Sequence, residues 1–129
     1  MLEQLTSYAT HLLASIILLA LFVWAYTKLT PHDEFKLIRG GNTAAVFSMG
    51  GPLLGFCLTL ASSLTHNDSL DKFLIWALLA MVVQVLTFVV VGRLFPKASQ
   101  HIESNNTAMG ALIGVASLAV GIVNAACLS

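Results

Sequence analysis

The chain has 129 residues, of which 57% are hydrophobic and only 9% charged, with a formal net charge of zero and a mean hydropathy of +0.87. A soluble domain carries about 25% charged residues and is about half apolar, so the excess of apolar side chains has to face lipid. That composition excludes a soluble enzyme, a nucleic-acid binder and a disordered tail.

Four stretches hold no Asp, Glu, Lys or Arg: 4–27, 40–67, 73–92 and 104–129. A helix rises about 1.5 Å per residue and needs about 20 apolar residues to cross a hydrocarbon core of about 30 Å. Every stretch is that long. The expectation is an all-α polytopic membrane protein with four transmembrane helices, at about 5–28, 42–64, 72–95 and 106–128.

The first span opens with Met1-Leu2-Glu3-Gln4, which has no basic residue, and its apolar run is longer than that of a signal peptide. It reads as a retained helix. His11, near its outer end, is a candidate proton relay, or else bonds a backbone carbonyl. Thr30 and Pro31 then suit a helix start. Phe35 and Ile38, three apart and surrounded by Asp33, Glu34, Lys36 and Arg39, predict a short amphipathic helix lying on the membrane surface. Gly40-Gly41 ends it.

Asn42 caps the second span, where Ser48, Gly51, Gly55, Thr59 and Ser62 recur every three or four residues. Lipid gives helices no hydrophobic reason to associate, so such small residues supply close backbone contact. Pro52 removes a backbone donor and predicts a kink, read either as a hinge or as a static packing feature. Span three is bulky all round, with Gln84 at its middle as a candidate path lining or an interhelical tie. The loop after it, 96–104, is a more polar version of the first inner loop. Span four starts at Asn106 and carries its own small-residue stripe: Gly110, Gly114, Ser117, Gly121 and Ala125. Asn124 lies near its outer end. Spans two and four should form an inner pair, with one and three turned to lipid. Cys57 and Cys127 fall inside spans and read as small buried apolar residues.

Basic residues set orientation, because loops carrying them resist translocation. Lys28, Lys36, Arg39, Arg93 and Lys97 flank the two longer loops, against Lys72 alone on the other face. Both termini should be periplasmic, with loops 28–41 and 93–105 cytoplasmic.

The chain also repeats itself. Pro31 aligns with Pro96, then, one residue out, Asn42-Thr43-Ala44 with Asn106-Thr107-Ala108 and Gly50 with Gly114. One membrane domain, built from tandem parallel helical hairpins at 1–64 and 65–129, with short interfacial helices in the inner loops, is the expected architecture.

Two constellations carry chemistry. Asn42 and Asn106 begin equivalent helices whose free N–H groups suit an anion or carbonyl, unless the two residues only cap. His32, Glu34, His101 and Glu103 form a weak metal set, but the two pairs do not align under the repeat, and a solvated face is the better reading. With no nucleophile elbow, phosphate loop or catalytic carboxylate pair, the chain reads as no enzyme and calls for no cofactor.

Lys28-Leu29-Thr30-Pro31-His32-Asp33-Glu34-Phe35-Lys36-Leu37-Ile38 with Asn42-Thr43-Ala44-Ala45 resembles the inner loop of the YjfL-like bacterial inner-membrane proteins. Asn106-Thr107-Ala108, Gly121-Ile122 and Asn124-Ala125-Ala126-Cys127 agree in the second half. Gly40-Gly41 departs from relatives, which carry more polar residues there, and would make a rigid anion site less secure. The resemblance implies a bacterial inner-membrane location, a domain of unknown function with two hairpin repeats, and cytoplasmic envelope-stress or polyamine-related partners. Two functions follow as expectations. The first is a homo-oligomeric passive channel or transporter for a small solute or ion, lined by spans two and four. The second is a non-catalytic scaffold recruiting partners through the basic loops.

Overall fold

In the computed structural model, which describes residues 1–30, 33–67, 69–95 and 97–128, the chain runs as α1 (Leu2–Leu29), α2 (Glu34–Arg39), α3 (Thr43–His66), α4 (Leu70–Leu94), α5 (Ala98–Glu103) and α6 (Thr107–Cys127). Among the described residues there is no strand. The shortest of the long helices, α6 with 21 residues, reaches about 32 Å at the standard rise. All four long helices are therefore long and apolar enough to span a bilayer.

α3 is the centre. Half of its apolar stretch is buried, against 22% for α1. Its main partner is α6, and the two run in the same direction. The Thr43 and Thr107 hydroxyls meet at 2.9 Å at one end, and Ser62 Oγ donates to the Ala125 carbonyl at 2.7 Å toward the other. The small-residue stripes face each other across this seam: Gly51 against Gly114, Gly55 against Ser117 and Gly121, and Gly110 against Ala44. A methyl group at Gly51 or Gly110 would overlap the opposite backbone. The stripes thus pack within one chain.

α1 and α4 close the other side of α3. Leu18, Phe22 and Tyr26 of α1 meet Met49, Phe56 and Leu60 of α3 and Phe73, Ala77 and Met81 of α4. Phe22 stacks on Phe56 with centroids 4.8 Å apart. A second cluster of Ala44, Ala45, Val91, Ile102 and Ile113 seats the short α5 at the end of the bundle where α3 and α6 begin. The remaining faces of α1 and α4, such as Ile16, Ile17, Leu79, Val82 and Leu86, stay exposed, as lipid-facing helices require.

Three local expectations are corrected. α2 is capped by Asp33, whose carboxylate accepts from the Lys36 amide at 3.2 Å, while Thr30 instead ends α1. The buried side of α2 carries Glu34, fully buried, with Leu37 and Ile38 partly so; Phe35 is exposed. Phe35 and Ile38 therefore do not share the covered face. Cys127 is exposed and Cys57 half-buried, both as free thiols. α3 continues as one helix through the fully buried Pro52.

Candidate functional site

A network of polar contacts lies where the loop between α1 and α3 meets the loop between α4 and α6. Each loop leaves its short helix by the same backbone path. Gly40 and Ser104 end α2 and α5 with φ −83° in both. Gly41 and Asn105 then adopt left-handed φ of +88° and +60°. The amides of Asn42 and Asn106 reach back to the Leu37 and His101 carbonyls at 2.9 and 2.8 Å. Glycine takes a positive φ without steric penalty, and asparagine is the commonest substitute.

From there Asn42 and Asn106 both cap. Asn42 Oδ1 accepts from the Ala45 amide at 2.9 Å, and Asn106 Oδ1 from the Met109 amide at 3.2 Å. Of the two, only Asn42 also ties one loop to the other through its side-chain nitrogen. Asn42 Nδ2 donates to the Ile102 carbonyl at 2.7 Å, in a buried setting, while Asn106 Nδ2 lies 3.4 Å from His101 Nδ1. Asn105 was not singled out by the sequence, yet its Oδ1 accepts from both Thr43 Oγ1 and the Ala44 amide at 3.1 Å. Two first-turn donors of α3, the Ala44 and Ala45 amides, are therefore already bonded to side chains, and Asn42 and Asn106 both act as caps, Asn42 also as a tie. Matching Asn105 to Gly41 under the repeat would have marked its left-handed backbone, since Asn beside Gly is the usual αL pairing.

The two knitted loops frame an open cleft of about 610 Å³, lined by Asp33, Lys36, Gly41, Asn42, Glu103 and Asn105. Of the weak metal set, only Glu103 lines it. Glu34 is buried under α2, His101 sits beside Asn106, and His32 lies outside the described residues. Among the described residues, no three His, Cys, Asp or Glu side chains come together as a metal site would need.

The intramembrane candidates are placed apart from this cleft. Gln84 is 1% exposed, and its Nε2 donates to the Ser117 carbonyl at 3.0 Å, linking α4 to α6. Gln84 Oε1 and Ser117 Oγ are buried without a partner, as is Asn124 Nδ2. Ser48 bonds within its own helix at 3.2 Å, and its carbonyl accepts from the Tyr26 hydroxyl at 2.9 Å. His11 Nδ1 lies 2.7 Å from the Ser7 carbonyl, with its ring 5.9 Å from that of Phe73.

No solved structure matches the chain. The UPF0719 inner membrane protein YjfL of Escherichia coli K12 is 36% identical over 128 residues, covering 99% of this chain and 97% of that one. The UPF0719 transmembrane protein YshE of Bacillus subtilis 168 is 26% identical over 126 residues, covering 96% and 94%. A family model described as Domain of Unknown Function (DUF350) matches residues 1–128. With four membrane-length helices and relatives of this kind over its whole length, the chain is a multi-pass inner-membrane protein and belongs to the DUF350 family.

Proposed function

We propose that the protein is a non-catalytic membrane scaffold, whose joined inner loops form a platform for a cytoplasmic partner. The supporting observation is the closed α3–α6 seam. Backbone meets backbone at Gly51 and Gly114, and Gln84 is spent on an interhelical bond. That contact fills the place where a path between the second and fourth spans of one chain would run. Meanwhile the open polar surface gathers at the loop cleft, with Lys36 and Arg39 exposed. The basic residues at this end favour a cytoplasmic platform and periplasmic termini. A channel, the competing reading, would have to form between copies in a homo-oligomer.

Reconstitution tests this. Purified protein in liposomes should leave potassium, proton and small-amine gradients as they are in empty liposomes. In cells, complexes crosslinked at the loops should be lost in a Lys36→Glu/Arg39→Glu double variant and survive Gln84→Leu. Flux that Gln84→Leu abolishes in a folded protein would replace the scaffold with a channel.

A further inference from the structure

A second concavity lies at the same end of the bundle, between α1, α4, α5 and α6. It encloses about 370 Å³ and is walled by Tyr26, Leu29, Phe88, Gly92 and Ile113, with Lys97 among its lining residues. Its character is opposite to that of the loop cleft. The lining is mainly apolar, Lys97 is its one charged residue among those described, and no carboxylate lines it, whereas Asp33 and Glu103 both line the other. The Tyr26 hydroxyl is already bonded to the Ser48 carbonyl. In sequence, exposed Lys28, Arg93 and Glu103 each adjoin a lining residue, namely Leu29, Gly92 and Ile102.

The shape fits one kind of molecule. From Phe88 to Gly92 the α4 wall extends about 6 Å along the helix, a little under half of the roughly 15 Å that one leaflet of a bilayer core provides. Gly92 keeps that wall open, since nothing lies within 4 Å of where its Cβ would be. An occupant must carry an extended apolar chain reaching in from the lipid phase and an anionic group at headgroup level.

We infer that this groove is a binding site for an anionic glycerophospholipid, with an acyl chain against Phe88 and Gly92 and the phosphate on Lys97. A basic side chain near an anionic headgroup contributes on the order of fivefold in affinity. The site is independent of the scaffold reading and of which leaflet this end occupies.

The test uses the full chain in detergent, with phosphatidylglycerol or phosphatidylcholine added and retained lipid counted by native mass spectrometry. The native protein should bind phosphatidylglycerol more tightly. Lys97→Gln should weaken phosphatidylglycerol about fivefold and leave phosphatidylcholine unchanged. Gly92→Leu, which fills an open position on an intact helix, should weaken both lipids. A melting temperature near native in lipid-free detergent verifies that each variant is folded. Equal binding of the two lipids by the native chain, or a preference that survives Lys97→Gln, would overturn the assignment.

Discussion

Replacing Gly51 by alanine should destabilise the fold, whereas the same change one residue earlier, at Gly50, should not. Both glycines lie inside α3, so both substitutions gain the same helix propensity, about 1 kcal/mol. Their surroundings differ completely. A Cβ at Gly50 meets nothing within 4 Å, while one at Gly51 overlaps the Gly114 backbone, which cannot rotate away as a side chain can. A carbon–carbon contact needs about 3.5 Å, so α6 has to withdraw from α3. Overpacking of this kind costs roughly 1–3 kcal/mol. Withdrawal also stretches the bonds from Gln84 to Ser117 and from Ser62 to Ala125, each worth roughly 0.6 kcal/mol in a membrane. The difference between the two variants should therefore be about 2–4 kcal/mol, with propensity cancelling. Reversible unfolding in mixed micelles, followed by circular dichroism, measures it directly. A difference below about 0.5 kcal/mol, the ordinary scatter of surface changes, would refute the close approach of α3 and α6.

Two further outcomes probe the polar contacts. Gln84→Leu removes the bond to Ser117 but also a buried oxygen that has no partner, so stability should change by less than about 1 kcal/mol; Gln84→Ala leaves a void and should cost roughly 2 kcal/mol or more. Unfolding in the same micelles decides it, and a leucine variant weaker than the alanine one would contradict the packing role. Asn105→Ala loses two bonds to α3 and forces alanine into a left-handed backbone, whereas Asn105→Gly loses only the bonds. Alanine should be worse by about 1 kcal/mol. Hydrogen exchange at the Ala44 amide should quicken in both, and equal stabilities would show that the backbone there is not held left-handed.

The membrane fold was legible because charge is so scarce. Six basic and six acidic residues can break the chain in few places, and between the breaks only membrane-length helices remain. The α3–α6 seam was legible for a related reason: glycine is unfavourable within a helix unless something approaches it closely, so a glycine stripe announces a contact. The three-or-four spacing also selects Gly51 rather than Gly50 for that contact. Gly50 aligns with Gly114 in the sequence, yet Gly50 faces open space and Gly51 makes the contact. The short helices were harder. Six residues give less than two turns, and the apolar pair Phe35 and Ile38 was the stripe the sequence offered, whereas docking on the ends of the long helices selects the face that buries Glu34. The tie from Asn105 to α3 spans more than sixty residues of sequence, a separation at which local pattern carries no information.

The division of labour within the fold follows from its solvent. In lipid, an apolar surface has nothing to gain by leaving its neighbours, so bulky α1 and α4 keep large exposed faces while α3 and α6 meet through their backbones. That choice closes the middle of the bundle. A backbone contact at Gly51 and Gly114 brings the two helices together there, and nearby Gln84 finds a protein partner for its Nε2 in the Ser117 carbonyl, while its Oε1 stays unpartnered. Open polar surface is thereby left to the ends of the bundle, where helices stop and charged side chains are tolerated, and the loop end carries the polar cleft. There the same short helices bound two unlike surfaces: α2 and the α5–α6 turn frame the polar cleft, and α5 walls the apolar groove. A partner bound in the cleft and a lipid bound in the groove would both press on α5, whose six residues are held by Ile102 in the core and by the Asn42 bond to the Ile102 carbonyl. α5 therefore borders both surfaces, with Glu103 on the cleft and Ala98, Ser99 and Ile102 on the groove.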